Sequence, residues 1–509
     1  MANTIDIPKS HLIMGLSLPL AVLLGYFVAE PMDLGSVAVV ILVLAVLAIP
    51  VMMRWYYPVL VLSWNAALYL GFAPGQPALW CVMAFLGLLF AVLNRAVSLN
   101  ARFVIEPSIT KPLLVLTGVV VAAGLLTGSF GLRILGSSHV GGRNYFYFLA
   151  AVVGYFVFTS QRIPPNRAGL YVGLFFLSGL TFALGNLINL GGRKSSFVWL
   201  FIMPDTSLLE PALQQSLNSA ITYKRIGNLA AVGAGIYGYL LARFGIRGLL
   251  DLTRPWRLLL FFVAAALGLA SGFRSFVGLC ALTFAALFWV EGLHRTRYLA
   301  ALLGVALLGG AIVLPNADKL PQVAQRALSF LPGKFDYIAQ ADASASTQWR
   351  LDMWKQVLPE VPSRLFRLTG FGLEAHDYAT GVEMGVASDP LAATILVGNF
   401  HNGPLSVLMP FGIYGAITFG WFLIAGLRLL HRNWKFGNPT LQKVNALLLA
   451  AFTARVLFFL CIFGAMQSDI AIFVGLLGLS VALNGAGASP VPAEQPAAGV
   501  ELNTEYIKA

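Results

Sequence analysis

The sequence predicts an all-α, polytopic membrane protein with about fourteen transmembrane helices and one large loop subdomain. Two observations predict this fold class. Hydrophobic residues make up 58% of the 509 residues and charged residues only 11%, whereas an average soluble domain has roughly 25% charged residues. Apolar runs also recur from Leu12 to Leu483, and each is long enough to cross roughly 30 Å of hydrocarbon as a helix.

The apolar runs divide the chain into four regions. Residues 1–314 contain eleven predicted transmembrane helices with short loops, and residues 404–485 contain three more. Residues 315–403 form the large loop, and residues 486–509 have too little to bury and are predicted to be a disordered tail. The predicted spans are 12–29, 34–53, 56–73, 78–96, 112–128, 144–160, 168–186, 228–247, 256–272, 274–292, 298–314, 404–428, 443–465 and 469–485.

Basic residues in the short loops predict the orientation of the chain. Lys and Arg cluster in alternate short loops, such as Arg95 with Arg102 and Arg428 with Arg432, and short basic loops stay in the cytoplasm. This rule predicts that both termini are cytoplasmic. The long loop, 315–403, is far longer than an ordinary connection, which indicates function or an added subdomain. The segments placed on the outer side are 129–143, 187–227, 271–274 and 315–403.

The motif content excludes several kinds of chemistry. The formal charge is +12, but topology explains these basic residues, so no nucleic-acid partner is expected. Cys81, Cys280 and Cys461 lie in separate apolar runs, without the spacing of a metal site or a disulfide framework. The sequence contains no H-E-x-x-H, Walker or dinucleotide motif. We therefore expect neither a metal nor a cofactor, and a reaction driven by the substrate itself.

Two helices are predicted inside the large loop, from Asp318 to Phe330 and from Thr347 to Leu358. The second mixes aromatic and charged residues and is typical of an amphipathic helix at a membrane or domain surface. Trp349 and Trp354 either anchor this helix or stack on sugar faces, and anchoring is the favoured interpretation.

The outer side is unusually rich in basic residues, against the usual bias. Fixed guanidinium groups suit phosphate or pyrophosphate, so an anionic lipid-linked substrate is one explanation. The alternative is that these side chains reach lipid headgroups or pair with loop carboxylates such as Asp318, Asp336 and Glu360. Arg274 stands out because S-G-F-R-S leaves its charge in a tight turn between two apolar helices. The outer basic residues are Arg143, Arg193, Lys194, Lys224, Arg225, Arg274, Arg326, Arg350, Arg364 and Arg367.

His401 is the histidine with the clearest chemical setting. It precedes Asn402, Gly403 and Pro404, a combination that predicts a helix cap and first turn. The positive end of the helix dipole and any neighbouring arginine disfavour imidazolium, so His401 is expected to be neutral near pH 7, as a general base requires. The alternative is a turn histidine without chemistry.

The order of these motifs resembles the O-antigen ligase and polymerase superfamily of bacterial envelope glycosyltransferases, over about residues 220–430. The motifs are Y-K-R-I-G-N (223–228), S-G-F-R-S (271–275), W-R-L-D-M-W (349–354), T-G-F-G (369–372), H-N-G-P-L (401–405) and P-F-G-I-Y-G (410–415). The family often has a glutamate before its Gly-Ile-x-Gly helix, where this chain has Met409-Pro410-Phe411. An acidic contribution from that helix is therefore not expected.

The resemblance implies a GT-C-like glycosyltransferase of the bacterial inner membrane with a periplasmic active site. It implies metal-independent transfer of a glycan from an undecaprenyl-pyrophosphate donor to a hydroxyl of lipid A core or of a growing polysaccharide, amid membrane lipids. His401 is then the general base, and Arg225 and Arg274 stabilise the leaving pyrophosphate. The substrate-binding residues that the resemblance implies are Arg350, Asn402, Gly370, Gly372 and Arg143.

Three functions fit this sequence. A ligase transfers a finished glycan to a final acceptor, and a polymerase of the same superfamily extends an O-antigen or exopolysaccharide repeat. The third is a flippase or other transporter of lipid-linked oligosaccharides, without enzymatic activity. The distinctive residues crowd one outer face rather than the middle of the membrane, which favours an enzyme. We rank the ligase first.

Overall fold

The computed structural model describes most of the apolar part of the chain and much of the large loop. Only Val22 and Gly25 of the first predicted span are among the described residues. Outside them also lie Arg225, Gly372 and the tail 486–509. The described residues are Val22, Gly25, 34–73, 75–97, 103–129, 139–140, 142–191, 197–203, 226–371, 373–374, 394–395 and 398–485.

The described part of the chain is almost entirely helical, which confirms the all-α fold class there. Two short strands, β1 (His139–Val140) and β2 (Leu373–Glu374), pair antiparallel and join the segment before α4 to the large loop. The α-helices are α1 (Leu34–Ser63), α2 (Leu79–Val97), α3 (Pro107–Leu126), α4 (Gly142–Phe158), α5 (Ala168–Leu177), α6 (Thr181–Gly191), α7 (Asn228–Leu249), α8 (Trp256–Ala270), α9 (Arg274–Val290), α10 (Arg297–Val313), α11 (Gln322–Leu328), α12 (Tyr337–Val357), α13 (Val361–Arg364), α14 (Gly403–Phe436), α15 (Gln442–Cys461) and α16 (Met466–Asn484).

Seven segments of the described chain are long and apolar enough to cross a membrane, and α8, α9 and α10 are shorter apolar helices. A polytopic membrane protein is therefore confirmed, whereas the count of fourteen spans and the GT-C-like arrangement stay predictions. The seven segments are Leu79–Ala96, Pro107–Leu126, Pro165–Leu187, Asn228–Leu249, Gly403–Phe436, Pro439–Cys461 and Met466–Asn484.

The break predicted between spans 34–53 and 56–73 is wrong. One helix, α1, runs through this region for 30 residues, with Pro50 and Pro58 inside it. Arg54 does not begin a loop, because its side chain lies on the exposed surface of the helix. This helix of 30 residues is about 45 Å long, and it continues through the break that the sequence predicted at residues 54 and 55.

The helices pack into a core that supports α14, α15 and α16. Helix α4 packs against α2 and α16, α3 packs against α14, and α15 packs against α7 and α9. Aromatic rings fill the interfaces, with Trp64 against Phe158 at 4.9 Å between centroids and Phe452 against Phe473 at 5.2 Å. Offset and edge-on ring pairs of this kind add to the burial of apolar surface. The candidate site lies at one end of this core, where the large loop contacts the turn 271–273 and the turn 462–465.

The large loop contains the two predicted helices with different boundaries. Helix α11 is shorter than the predicted segment, and α12 begins at Tyr337, ten residues before the predicted Thr347. Asp336 caps α12, since its side chain accepts the Ile338 N–H at 3.2 Å. The first half of α12 is rich in alanine and polar residues, so apolar periodicity did not reveal it.

Helix α14 is broken at Gly412, where φ is +56° and ψ is −151°. The N–H of Ile413 donates instead to the carbonyl of Leu365 in the large loop, at 2.7 Å. A Cβ at position 412 would overlap that carbonyl. Glycine therefore permits both the left-handed backbone and the close approach of the loop.

The loop segment 365–370 also pairs with the carbonyl groups before the break. The N–H groups of Thr369 and Gly370 donate to the Pro410 carbonyl at 3.0 and 2.8 Å. The Thr369 hydroxyl donates to the Met409 carbonyl at 2.8 Å. Non-helical backbone at membrane depth needs protein partners of this kind. Where the family often has a glutamate, this chain has a docking point for its own loop.

Replacement of Gly370 by alanine is expected to lower the free energy of unfolding by about 2 kcal/mol. Gly370 has φ +72°, and a Cβ there would overlap the hydroxyl of Tyr145 and come 2.9 Å from that of Ser129. The melting temperature in detergent measures the effect. Gly398→Ala is the matched control, because Gly398 has φ +73° and no described atom lies within 4 Å of its Cβ position. Equal melting temperatures for the two variants would contradict this account.

Candidate active site

His401 lies directly before α14, and the predicted helix start is confirmed. The Oδ1 of Asn402 accepts the Leu405 N–H at 3.0 Å, so Asn402 is the N-cap, and Pro404 lies in the first turn. His401 itself has φ +47°, a left-handed conformation that few non-glycine residues adopt. The cap and this turn together fix the backbone that carries the imidazole.

The imidazole of His401 lies between two aromatic rings. Trp349 of α12 contacts it edge-on, with 5.2 Å between the centroids. Phe463, from the turn between α15 and α16, contacts it at 5.1 Å. The Nδ1 of His401 is buried and has no hydrogen-bond partner among the described residues. A buried ring nitrogen without a hydrogen-bond partner is uncommon in folded proteins, and among the described ring nitrogens of the large loop it singles out that of His401.

Arg350 completes a group that we call the His401 cluster, which consists of His401, Trp349, Arg350 and Phe463. The guanidinium carbon of Arg350 lies 5.8 Å from the centroid of the Phe463 ring, within the range of a cation–π contact. One ring, Phe463, thus faces both the imidazole and the guanidinium. The structure thus brings His401 and Arg350, two of the residues singled out from the sequence, to the same place.

Burial lowers the pKa of His401 below its ordinary 6.5, and the positive charge of Arg350 lowers it further. Burial also lowers the pKa of Arg350, with a smaller contribution from the charge of Arg326. Both causes act on His401 in the same direction, since each disfavours the imidazolium form. The imidazole is therefore neutral at pH 7, as the sequence predicted from its position at a helix start.

Helix α12 is docked onto the start of α14 by an apolar cluster. Met353 and Val357 of α12 pack with Leu405 and Met409 of α14. The indole N–H of Trp354 donates to a backbone carbonyl, that of Phe400, at 2.9 Å. Trp354 therefore anchors α12 beside the residue that precedes His401. Of the two interpretations of this tryptophan, its contacts match anchoring.

Arg326 connects the large loop to the S-G-F-R-S turn. It is 5% exposed, forms an ion pair with Asp342 of α12, and donates through Nη1 to the Gly272 carbonyl at 2.9 Å. Arg326 therefore follows the structural interpretation of the outer arginines rather than the substrate-binding one. Arg364 also pairs with a loop carboxylate, since its Nη2 lies 2.9 Å from Oε2 of Glu360.

The predicted tight turn before Arg274 is present. Gly272 has φ +74°, and the Ser271 hydroxyl donates to the Gly268 carbonyl at 2.6 Å and accepts the Phe273 N–H at 3.3 Å. Arg274 is half-buried at the first position of α9. Through Gly272 and Arg326, this turn is tied to the helix that carries Arg350.

The remaining predicted residues lie in other settings. Arg143 is exposed at the start of α4, where its Nη2 donates to the Tyr147 hydroxyl at 3.1 Å, and no described contact joins it to the His401 cluster. Gly370 lies against Tyr145, whose hydroxyl accepts the N–H of the next residue at 2.9 Å. Arg225 and Gly372 lie outside the described residues. The described residues contain no group of three or more His, Cys, Asp or Glu that could hold a metal ion.

Sequence reasoning missed three residues around the cluster: Phe463, Arg455 and Asp469. Arg455 of α15 and Asp469 of α16 form an ion pair, and Asp469 is 1% exposed. The signal was present in the sequence, since opposite charges inside two consecutive apolar runs indicate a buried partnership. Phe463 gave no such signal, because phenylalanine is frequent throughout this chain.

A cavity of about 600 Å³ opens among the helices below this region. Its lining is almost entirely apolar and includes Trp64, Trp80, Tyr147 and Tyr237. Arg455 is the charged side chain among the described residues of the lining. The same arginine therefore borders both the cavity and, through Asp469, the turn that carries Phe463.

Comparison with known families gives one match within this geometry. Residues 259–420 match the family model described as O-antigen ligase. This part, about a third of the chain, is similar to O-antigen ligases. This match confirms the resemblance to the O-antigen ligase and polymerase superfamily. A search of curated proteins found no match to the chain.

The O-antigen ligase match contains three of the four residues of the His401 cluster. It begins in α8 and ends in α14, so it contains Arg274, Arg350 and His401. It supports an enzyme at the level of the superfamily. Arg225 precedes the matched residues, and Arg455 and Phe463 follow them.

Proposed function

We propose that the protein is an O-antigen ligase-like glycosyltransferase, which moves a glycan from an undecaprenyl-pyrophosphate donor to an acceptor hydroxyl. The observation that carries the proposal is the setting of His401. Its imidazole is kept neutral by burial and by Arg350, and its Nδ1 has no partner among the described residues. A neutral imidazole with a free acceptor position is suited to general base catalysis.

In the proposed reaction, His401 takes the proton of the acceptor hydroxyl. The oxygen of that hydroxyl forms a bond to the anomeric carbon of the donor sugar, and the bond from that carbon to the pyrophosphate oxygen breaks. The electron pair of the broken bond remains on undecaprenyl pyrophosphate. Arg274 and Arg350, together with Arg225, stabilise the charge that develops on this leaving group, which needs no metal ion in the proposal.

The order of the helices supports a site formed on one side of the membrane. The turn 271–273, the large loop and the turn 462–465 are separated from one another by pairs of helices, α9 with α10 and α14 with α15. In the proposed topology each pair crosses the membrane out and back, so the three connections share one side. Arg428 and Arg432 lie near the other end of α14, and the positive-inside rule assigns that end to the cytoplasm.

We therefore propose that the site faces the periplasm and that α16 ends on the cytoplasmic side of the bacterial inner membrane. The donor and acceptor are both lipid-anchored in this scheme, which suits a site at the membrane boundary. A basic, half-buried cluster there matches the anionic pyrophosphate.

An assay with purified protein tests the proposal. The protein receives an undecaprenyl-pyrophosphate glycan and either lipid A core or a second lipid-linked repeat, with EDTA present, and products are separated by gel. We expect a single transfer to lipid A core. A ladder of chain lengths would assign the polymerase reaction instead. Absence of product, together with movement of the lipid-linked glycan across liposomes, would replace the enzyme with a transporter.

A further inference from the structure

The turn between α15 and α16, residues 462–465, forms one wall of the His401 cluster. Phe463 in this turn contacts His401 at 5.1 Å, and its ring centroid lies 5.8 Å from the guanidinium carbon of Arg350. A Cβ on Gly464 would come 3.0 Å from the Gly403 Cα, so the two backbones are in close contact. The path of this turn decides where the Phe463 ring lies.

A buried carboxylate holds the end of the turn. Asp469, in the first turn of α16, forms an ion pair with Arg455 through Oδ1, and its Oδ2 accepts the Ala465 N–H at 2.9 Å. The chain from Phe463 to Asp469 is thereby closed into a short loop fixed to α15. Both oxygens of the carboxylate have a partner, as a buried carboxylate requires.

Ser406 holds the turn from the side of α14. Its hydroxyl donates to the Gly403 carbonyl at 2.6 Å and accepts the Met466 N–H at 2.9 Å. Ser406 is 2% exposed. The turn is therefore fixed between the helix start that carries His401 and the ion pair of α15 and α16.

We infer that Arg455 and Asp469 are positioning residues for the His401 cluster, which act through the 462–465 turn and Phe463. The inference rests on the proposed function, in which His401 is the base. An ion pair between membrane helices is costly to desolvate, and apolar side chains join helices equally well. What the pair adds is a carboxylate oxygen fixed at the Ala465 N–H, and hence a fixed turn.

The first test replaces Asp469 by asparagine and measures kcat, KM and the pH–rate profile of glycan transfer. We expect kcat to fall about tenfold or more, with a smaller change in KM for the donor, because the turn shifts while the binding arginines remain. The acidic limb of the profile is expected to move to higher pH. A displaced Phe463 exposes His401, and burial is the larger cause of its lowered pKa.

The direction of this pH shift separates positioning from direct electrostatics. Among the described residues, the charged groups near His401 are Arg350 of α12 and, beyond Phe463, the Arg455–Asp469 pair of α15 and α16. Asp469→Asn leaves Arg455 with an uncompensated positive charge, which alone would lower the pKa of His401 and move the limb to lower pH. A shift of the acidic limb to higher pH therefore shows that Phe463 no longer covers His401.

Phe463→Leu provides a second variant that does not disturb the buried pair. It is expected to reproduce the upward shift, and the double variant with Asp469→Asn is expected to shift no further than Phe463→Leu alone. Arg455→Lys is expected to restore much of the rate that Arg455→Met loses. The matched control is Glu106→Gln, which removes the charge of a buried carboxylate that is paired with the half-exposed Arg432. This variant is expected to leave the acidic limb in place.

A readout that does not need transfer separates the two hypotheses. The pH dependence of the reaction of His401 with diethyl pyrocarbonate, followed by mass spectrometry, reports its pKa in each variant. If His401→Asn is fully active, the proposed role of His401 as the general base fails, and with it the basis of this inference. If His401→Asn is inactive but Asp469→Asn and Phe463→Leu leave both the rate and the pKa of His401 unchanged, the positioning inference alone is overturned.

Discussion

Replacement of His401 by asparagine is expected to reduce the rate of glycan transfer by about 10²–10⁴-fold, the usual effect of losing a general base. Asparagine is the informative substitution because His401 has φ +47°, and asparagine tolerates the left-handed region better than alanine does. The capping bond of Asn402 to Leu405 does not involve the imidazole. The start of α14 is therefore expected to remain intact.

The measurement is the initial rate of product formation at saturating donor, with the melting temperature recorded in parallel. A large loss of rate at an unchanged melting temperature would locate the defect in the chemistry. His401→Ala serves as the contrast, since it adds backbone strain to the loss of the base. Full activity of His401→Asn would show that another group, or none, removes the proton.

Replacement of Arg350 by methionine is expected to lower the rate by about 10²-fold and to move the acidic limb of the pH–rate profile upward. The charge of Arg350 is the second cause, after burial, of the lowered pKa of His401. Removing that charge raises the pKa, so His401 becomes protonated at a higher pH and the base is lost earlier as the solution is acidified. Burial remains, so the pKa is expected to stay below 6.5.

Arg350→Lys separates the two effects of the guanidinium. Lysine keeps a positive charge and hence much of the pKa effect, but it lacks the planar group that binds pyrophosphate through two donors. We expect its acidic limb to stay near that of the wild type while its rate falls. Lys355→Met is the control on the same helix, because Lys355 is 72% exposed. An Arg350→Met profile that coincided with the wild type would remove Arg350 from the site.

The sequence predicted the parts of the site that depend on local chain chemistry. The order Asn402, Gly403, Pro404 predicted a helix start because each residue type has an intrinsic preference for its position. The S-G-F-R-S turn was predicted for the same kind of reason, since a glycine and a serine between two apolar runs indicate a tight connection. These features need no knowledge of distant contacts.

The parts that the sequence did not predict depend on contacts between distant segments. Phe463 joins the cluster only because the turn 462–465 packs against the start of α14, and Arg326 reaches Gly272 from 54 positions away. The division at Arg54 failed because a single charge on an exposed helix face is compatible with a continuing helix. Fold class followed from composition, whereas the partner of each charge required the packed structure.

The hydrogen bonds between residues 365–370 and the break in α14 limit how the large loop can be exchanged between proteins. The loop supplies backbone donors and an acceptor to a membrane helix, so a chimera cut at the edges of the loop would leave Pro410 and Ile413 without matching partners. A chimera that takes residues 365–370 and 409–413 from the same protein keeps these hydrogen bonds. The loop and the first turns of α14 therefore have to be exchanged together.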